Sequence, residues 1–195
     1  GLQDPTHVDA GFATSGLLAV TYGGTTLRYT GTGDALKFIN NALTPILAQV
    51  TIENLAIRST TGTTAIHIKN AIGVWIHRVY ITGQADFATP ATGFTTAGIW
   101  LDQTSNGTDA TFAVRVTECE VRYLGGTLSD GFLVSGGNNI NIIYVTGSAF
   151  QGVGRDGIHT AGHGLAMHIV GNEIEGNQRY QVYMDYGAAV HFAGN

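Results

Sequence analysis

"LAMHIVGN", Leu165 to Asn172, returns 23 residues later as "AAVHFAGN", Ala188 to Asn195, with Ala, His, Gly and Asn in register. Four earlier segments share the pattern: "VTIENLAI" from Val50, "VWIHRVYI" from Val74, "VRVTECEV" from Val114 and "IYVTGSAF" from Ile143. Aligning them sets Ile52, Ile76, Val116, Val145, Ile169 and Phe192 as anchors, with shifts of 24, 40, 29, 24 and 23 residues. Each segment alternates apolar and polar residues at the period of a strand. None has the 3.6-residue period of an amphipathic helix.

A second kind of strand lies between these. It reads "DALKFI" (Asp34), "TAIHIK" (Thr64), "AGIWLD" (Ala97), "DGFLVS" (Asp130), "DGIHTA" (Asp156) and "YQVYMD" (Tyr180). Alternation points Ile66 and Ile68, Ile99 and Leu101, Phe132 and Val134, Ile158 and Thr160, and Val182 and Met184 inward. Two strand types returning every 24 residues or so predict an all-β parallel solenoid, in which each coil buries its apolar face on its neighbours. Leucine-rich repeats share the length, but their leucine and asparagine pattern is absent. The longer intervals hold insertions, chiefly "QADFATPATGFTT" (Gln84 to Thr96) and "QTSNGTDAT" (Gln103 to Thr111). The segment from Gly33 to Gln49 reads as a short helix or as a first coil with a long turn; "DALKFI" favours the coil. The last coil stops at Asn195, so the stack is expected to continue in a longer chain or to be covered by a partner.

Composition agrees. Charged residues make up 12% of the 195, and there are 28 glycines and 3 prolines. Low charge with many turn-forming and β-branched residues suits tight turns between strands. The net charge is -5, and the nine basic residues form no run, which argues against nucleic acid. No apolar run approaches the roughly 18 residues of a membrane span. One cysteine, Cys119, excludes an internal disulfide framework and a Cys-based zinc site. "NGT" at Asn106 fits a glycosylation sequon, a match common by chance.

"GN.I.GN", the "DGI" strand openings and "VTIENLAI" resemble right-handed parallel β-helices of the pectate-lyase-like superfamily. "GGTTLRYTGTGDALKF" (Gly23 to Phe38) is similar to the first coils of phage tailspike and polysaccharide-depolymerase β-helices. The resemblance implies a right-handed single-stranded parallel β-helix of about six to seven coils over residues 23–195, with residues 1–22 as an N-terminal cap. It also implies a virion-tail or extracellular protein that binds, and in some members cleaves, a surface polysaccharide, as a homotrimer. The superfamily also holds adhesins and shafts without chemistry, so a non-catalytic adhesin, filament subunit or tail-fibre shaft, self-associating end to end, is the alternative.

Alternation aligns Lys37, His67, Trp100, Leu133, His159 and Tyr183 as an outward row, with neighbours about 4.8 Å apart. Such a row fits an extended glycan, or packs against a subunit or loop. Asp130 and Asp156 start consecutive coils about 5 Å apart, a spacing that suits paired carboxylates in glycoside hydrolysis or two Asp-Gly turn caps. Glu120 and Glu173 fall at equivalent positions two coils apart, roughly 10 Å, with Arg122 on the same strand. Asp130, Asp156 and His159 are the first catalytic candidates, followed by Asp102, Glu120 and Glu173. His67, Trp100, Tyr183, Lys37 and His163 are the substrate-binding candidates. "AGHG" around His163 resembles the Gly-His-Gly motif of polygalacturonases, which would pair it with Asp156. Their Asp-Asp and Arg-Ile-Lys motifs are absent here, and both fragments sit in one coil. Only Asp130 and Asp156 approach a calcium-type cluster, no His pair has zinc-ligand context, and no metal or cofactor is expected. Asn172 and Asn195 read as stacked internal asparagines.

Overall fold

The computed structural model describes residues 25–40, 47–85, 89–103, 111–185 and 187–195. The expected cap at 1–22, the centres of both insertions and the Asn106 sequon lie outside the described residues. Among the described residues there is no helix, and none therefore long and apolar enough to cross a membrane. The strands are β1 (Thr26–Arg28), β2 (Asp34–Ile39), β3 (Leu47–Ala48), β4 (Thr51–Arg58), β5 (Thr64–Lys69), β6 (Ala71–Thr82), β7 (Ala97–Gln103), β8 (Thr111–Thr117), β9 (Glu120–Arg122), β10 (Asp130–Thr146), β11 (Ala149–Gln151), β12 (Asp156–Val170), β13 (Glu173–Glu175), β14 (Tyr180–Met184) and β15 (Gly187–Ala193). The described pairings are all parallel, and they connect the strands into one 15-stranded sheet.

Three ladders run through that sheet. The first takes β2, β5, β7, the first half of β10, the first half of β12, and β14. The second takes β3, the start of β4, the first part of β6, β8, the second halves of β10 and β12, and β15. The third takes β1 and the ends of β4 and β6, then β9, β11 and β13. Each anchor residue pairs with the next: Ile52 with Ile76, Ile76 with Val116, Val116 with Val145, Val145 with Ile169, and Ile169 with Phe192. The core-facing columns of the first ladder, Ile66–Ile99–Phe132–Ile158–Val182 and Ile68–Leu101–Val134–Thr160–Met184, also lie in register.

The interior is a column of fully buried Ile, Val, Leu and Phe, shared by all three ladders. The glycine of each "DG" belongs to this packing. A Cβ on Gly131 would come within 2.9 Å of Phe150, and one on Gly157 within 2.4 Å of Ile174. Third-ladder side chains thus fill the space that a first-ladder side chain would need. The Asp-Gly pairs begin strands rather than making turns, because packing across the interior fixes the glycine.

Left-handed residues also stack. Gln49, Gly73, Ala113, Ile142, Ala166 and Ala189 share one level of the second ladder, with φ between 51° and 69°. Asn54, Arg78, Glu118, Gly147, Gly171 and Gly194 share the bend into the third ladder, with φ between 51° and 67°. A single left-handed residue re-aims an otherwise extended strand, so every repeat bends at the same level. Just after the second bend, Leu55, Val79 and Cys119 of the earlier repeats give way to the polar Ser148, Asn172 and Asn195. The Ser148 hydroxyl accepts the Cys119 N–H at 3.1 Å, Asn172 Oδ1 accepts the Ser148 N–H at 3.0 Å, and Asn195 Oδ1 accepts the Asn172 N–H at 3.0 Å. Asn172 is therefore buried in this ladder and holds the bend, while Asn195, stacked on it, is exposed.

Candidate ligand-binding site

The first-ladder row expected from alternation is in register: Lys37–His67–Trp100–Leu133–His159–Tyr183. It is not an open row. Lys37 is exposed, Trp100 and Tyr183 are half-buried, and His67, Leu133 and His159 are each 5% exposed. His67 is covered because Trp100 stacks on it, ring centroids 4.1 Å apart and planes 11° apart. Its Nδ1 lies 2.7 Å from Asp34 Oδ2 and its Nε2 3.2 Å from Asp102 Oδ2. The imidazole thus bridges the two carboxylates, one ring nitrogen to each. Burial works against the charge on Asp34, but the hydrogen bonds from His67 and Thr63 outweigh it and hold its pKa below the usual carboxylate value.

Asp130 and Asp156 come together as the spacing implies. Both are fully buried, and the Asp156 N–H donates to Asp130 Oδ1 at 3.2 Å. The Tyr180 N–H donates to Asp156 Oδ1 at 3.1 Å, so each carboxylate caps the start of the next repeat. Arg155 binds Asp130 through Nε, at 2.8 Å, and through Nη2. Arg179 binds Asp156 through Nε, at 3.0 Å, and through Nη2. His159 Nδ1 lies 3.0 Å from Asp130 and 3.5 Å from Asp156, and its buried Nε2 has no hydrogen-bond partner among the described residues. Burial raises the cost of charge on Asp130, yet Arg155 and His159 hold its pKa below the ordinary range.

Ligand atoms of Asp130, Asp156 and His159 lie within 4.8 Å of one another, close enough to surround a cation. Each carboxylate already carries a guanidinium, so a cation there would have to displace two chelated arginines. Sequence spacing finds the carboxylates but not the arginines, which precede the strands by one residue and act on the repeat before. The side chain of His163, in β12, lies outside the described residues.

Glu120 and Glu173 sit on the third ladder with Ala149 between them, two strand spacings apart. Arg122 Nε is 3.0 Å from Glu120, and its Nη2 is 3.9 Å from Glu173. They border a shallow cleft of about 290 Å³, floored by Gly147 and Gly171, where the preceding repeats carry Arg78 and Glu118. Arg78 donates to Glu118 at 2.9 Å and thereby lowers the Glu118 pKa.

A second row escaped the sequence reading. Trp75, Arg115, Tyr144, His168 and His191 lie in register on the outward face of the second ladder. Trp75 is 43% exposed, Arg115 and His191 are exposed, and Tyr144 and His168 are half-buried. Tyr144 stacks on His168 at 4.9 Å, the Arg115 guanidinium lies 5.8 Å from the Tyr144 ring, and His168 meets His191 edge-on at 5.6 Å. Ala71–His77, β8, β15 and the second halves of β10 and β12 carry no Asp or Glu. The signal was present: each member immediately precedes an anchor residue. This row is continuous and accessible, whereas the first-ladder row is roofed by its own carboxylates and rings.

No family model, curated protein or solved structure matches this chain.

Proposed function

We propose that the chain is a right-handed parallel β-helix of about six to seven coils, of the tailspike-like kind, that recognises an extended polysaccharide along its second ladder. The observation that carries this reading is the row Trp75–Arg115–Tyr144–His168–His191. Four strand spacings make it roughly 19 Å long. Flat rings at that repeat suit the apolar faces of successive sugars, and the Arg115 and imidazole N–H groups suit their hydroxyls. A protein of this kind belongs on a virion tail or outside the cell, where a homotrimer would present three such rows.

Recognition is better supported than cleavage. Glycoside hydrolysis needs one neutral carboxyl to protonate the leaving oxygen. Asp130 is held ionised, and Asp156 is chelated by Arg179. Asp102 is spent on His67, and Glu120 is paired with Arg122. The alternative, a non-catalytic structural shaft, is favoured by the repeated internal clamps of the first ladder, which join each repeat to the next.

Affinity electrophoresis of the intact chain in gels containing bacterial and plant polysaccharides tests the proposal. At least one polymer should retard the protein. Trp75→Ala and Tyr144→Ala should each weaken retardation about tenfold or more, a loss of about 1.4 kcal/mol, with unchanged circular dichroism. Retardation that is indifferent to both substitutions would remove the row from the site. Absence of retardation across the panel would favour the shaft.

A further inference from the structure

A cleft of about 600 Å³ opens beside the bend between the third and first ladders. Its lining is polar and apolar in about equal measure. Leu124 and Val153 are buried beneath it, and Leu128 stands on its rim, 64% exposed. Arg155 and Arg179 line one side. They hold successive places in the repeat, since the Arg179 N–H donates to the Arg155 carbonyl at 2.8 Å. Their backbones are thus about one strand spacing, 4.8 Å, apart.

Both guanidiniums are fixed before any ligand arrives. Each is chelated by a buried carboxylate through Nε and Nη2, and Arg179 also lies 4.4 Å from the Tyr183 ring and 5.2 Å from the Tyr180 ring. The remaining nitrogen of each, Nη1, makes no hydrogen bond among the described residues. Two exposed rings stand nearby: Tyr180 beneath Arg179, and Tyr123 over Gly152, which lines the cleft.

Charge decides the ligand class. Asp130 and Asp156 offset Arg155 and Arg179 one for one. Little positive charge remains for an anion. What remains is two rigid guanidiniums, on backbones one strand spacing apart, beside the exposed Leu128 side chain. That combination matches an uncharged ring with hydroxyls on its edge and C–H groups on its face. Its size lies within the range of small-ligand sites.

We infer that this cleft is a subsite for one uncharged sugar residue, separate from the second-ladder row. Hydroxyl oxygens accept from Nη1 of Arg155 and Arg179, and the apolar face of the ring rests on Leu128. The inference takes its ligand class from the proposed glycan recognition, but not its location.

The test is calorimetric titration of the intact chain with uncharged trisaccharides of glucose, galactose, mannose and N-acetylglucosamine, and with trigalacturonate, at low and high salt. An uncharged trisaccharide should bind with an affinity that salt leaves unchanged. Leu128→Asp, at an exposed position, should weaken it about tenfold. Arg179→Lys keeps the charge beside Asp156 but removes the fork, and should weaken it similarly. Trp75→Ala should have no effect. No Leu128-sensitive binding of any uncharged trisaccharide overturns the inference, even where Trp75→Ala still abolishes polymer binding. Tighter, salt-sensitive binding of trigalacturonate overturns it as well. Leu128-sensitive binding alongside polymer retardation that ignores Trp75→Ala upholds the cleft and sinks the row.

Discussion

His67 and His159 occupy the same place in the repeat, three ladder steps apart, and each turns its Nδ1 to the Asp that opens the preceding first-ladder strand: Asp34 at 2.7 Å and Asp130 at 3.0 Å. On the far side, Nε2 faces an Asp two residues past the row on the next repeat. For His67 that is Asp102 at 3.2 Å; for His159 it is Asp185 at 3.9 Å. An aromatic ring of the next repeat lies against each imidazole, Trp100 stacked and Tyr183 edge-on. The same Asp–His–Asp clamp is therefore built twice, closed around His67 and one contact short of closed around His159.

These clamps make the fold sensitive to acid. Asp34 and Asp130 both have pKa values below the ordinary aspartate range in the folded chain, held there against burial by hydrogen bonds and nearby positive charge. A depressed carboxylate contributes stability that is complete above its unfolded pKa and is lost as the pH falls through its folded one. The unfolding free energy should therefore be flat with respect to these groups above about pH 5 and fall progressively below about pH 4. Asp130→Asn should remove much of that slope. It should also destabilise the chain at neutral pH by about 3–5 kcal/mol, since Arg155 and His159 lose a buried partner. Urea melts from pH 3 to pH 7 read both effects. An unchanged slope in Asp130→Asn would mean that other carboxylates set the acid limit.

Strain at the stacked left-handed level should be relievable. Ala166 holds φ at 51° in β12, where a Cβ costs roughly 1 kcal/mol. Ala166→Gly should raise stability by up to about 1 kcal/mol, because glycine removes that cost. Ala65, fully buried in β5, is not among the left-handed residues; Ala65→Gly should destabilise by about 0.5–1 kcal/mol. Opposite signs in thermal melts of the two variants are the expected outcome. Destabilisation by both would assign the Ala166 methyl a packing role that outweighs its strain.

The fold was more legible than the site, for a physical reason. Strand register follows from side chains alternating between core and surface, and that alternation is written along the chain. Aligning Ile52, Ile76, Val116, Val145, Ile169 and Phe192 was enough to pair every second-ladder strand that carries an anchor. Alternation within the other strand type predicts the His67–Trp100–His159–Tyr183 row but not its burial. Burial depends on Asp102 reaching His67 across strands and on Trp100 lying flat, neither of which has a periodic signature. Arg155 and Arg179 stayed hidden because they sit in the bends, where alternation ends. The Trp75 row stands one residue before each anchor, but its members, Trp, Arg, Tyr, His and His, share no single residue type, so the repeat does not mark them as one surface.

The stacked asparagines should hold the bend between the second and third ladders. Asn172 is 3% exposed; its Oδ1 accepts the Ser148 N–H at 3.0 Å, and its Nδ2 donates to the Val145 carbonyl at 3.0 Å and to Asn195 Oδ1 at 2.8 Å. Asn172→Ala leaves a backbone donor and a carbonyl buried without partners, at about 1–3 kcal/mol each. A loss of about 2–4 kcal/mol is expected, larger than for Asn195→Ala, because Asn195 is exposed. Hydrogen exchange should show the Ser148 amide among the most accelerated. Equal effects of the two substitutions would mean that the ladder acts through Asn195 rather than through the buried Asn172.

Cys119 provides a probe of how the stack opens. It is fully buried, its thiol sits near the carbonyls of Ile76 and Thr117, and burial pushes its pKa up to about 12. The thiolate is the reactive form, and here it is both scarce and inaccessible. Native protein at pH 8 should resist a disulfide reagent for as long as the stack stays closed, and should react with one equivalent once unfolded in urea. Below the unfolding transition, labelling should proceed only through opening of the repeats that hold Cys119. Asn172→Ala should accelerate it, since Ser148, which accepts the Cys119 N–H, is the residue whose own N–H Asn172 holds. Labelling as fast as that of an exposed thiol would show that the bend around Cys119 is open in the native chain and that the polar ladder does not seal it.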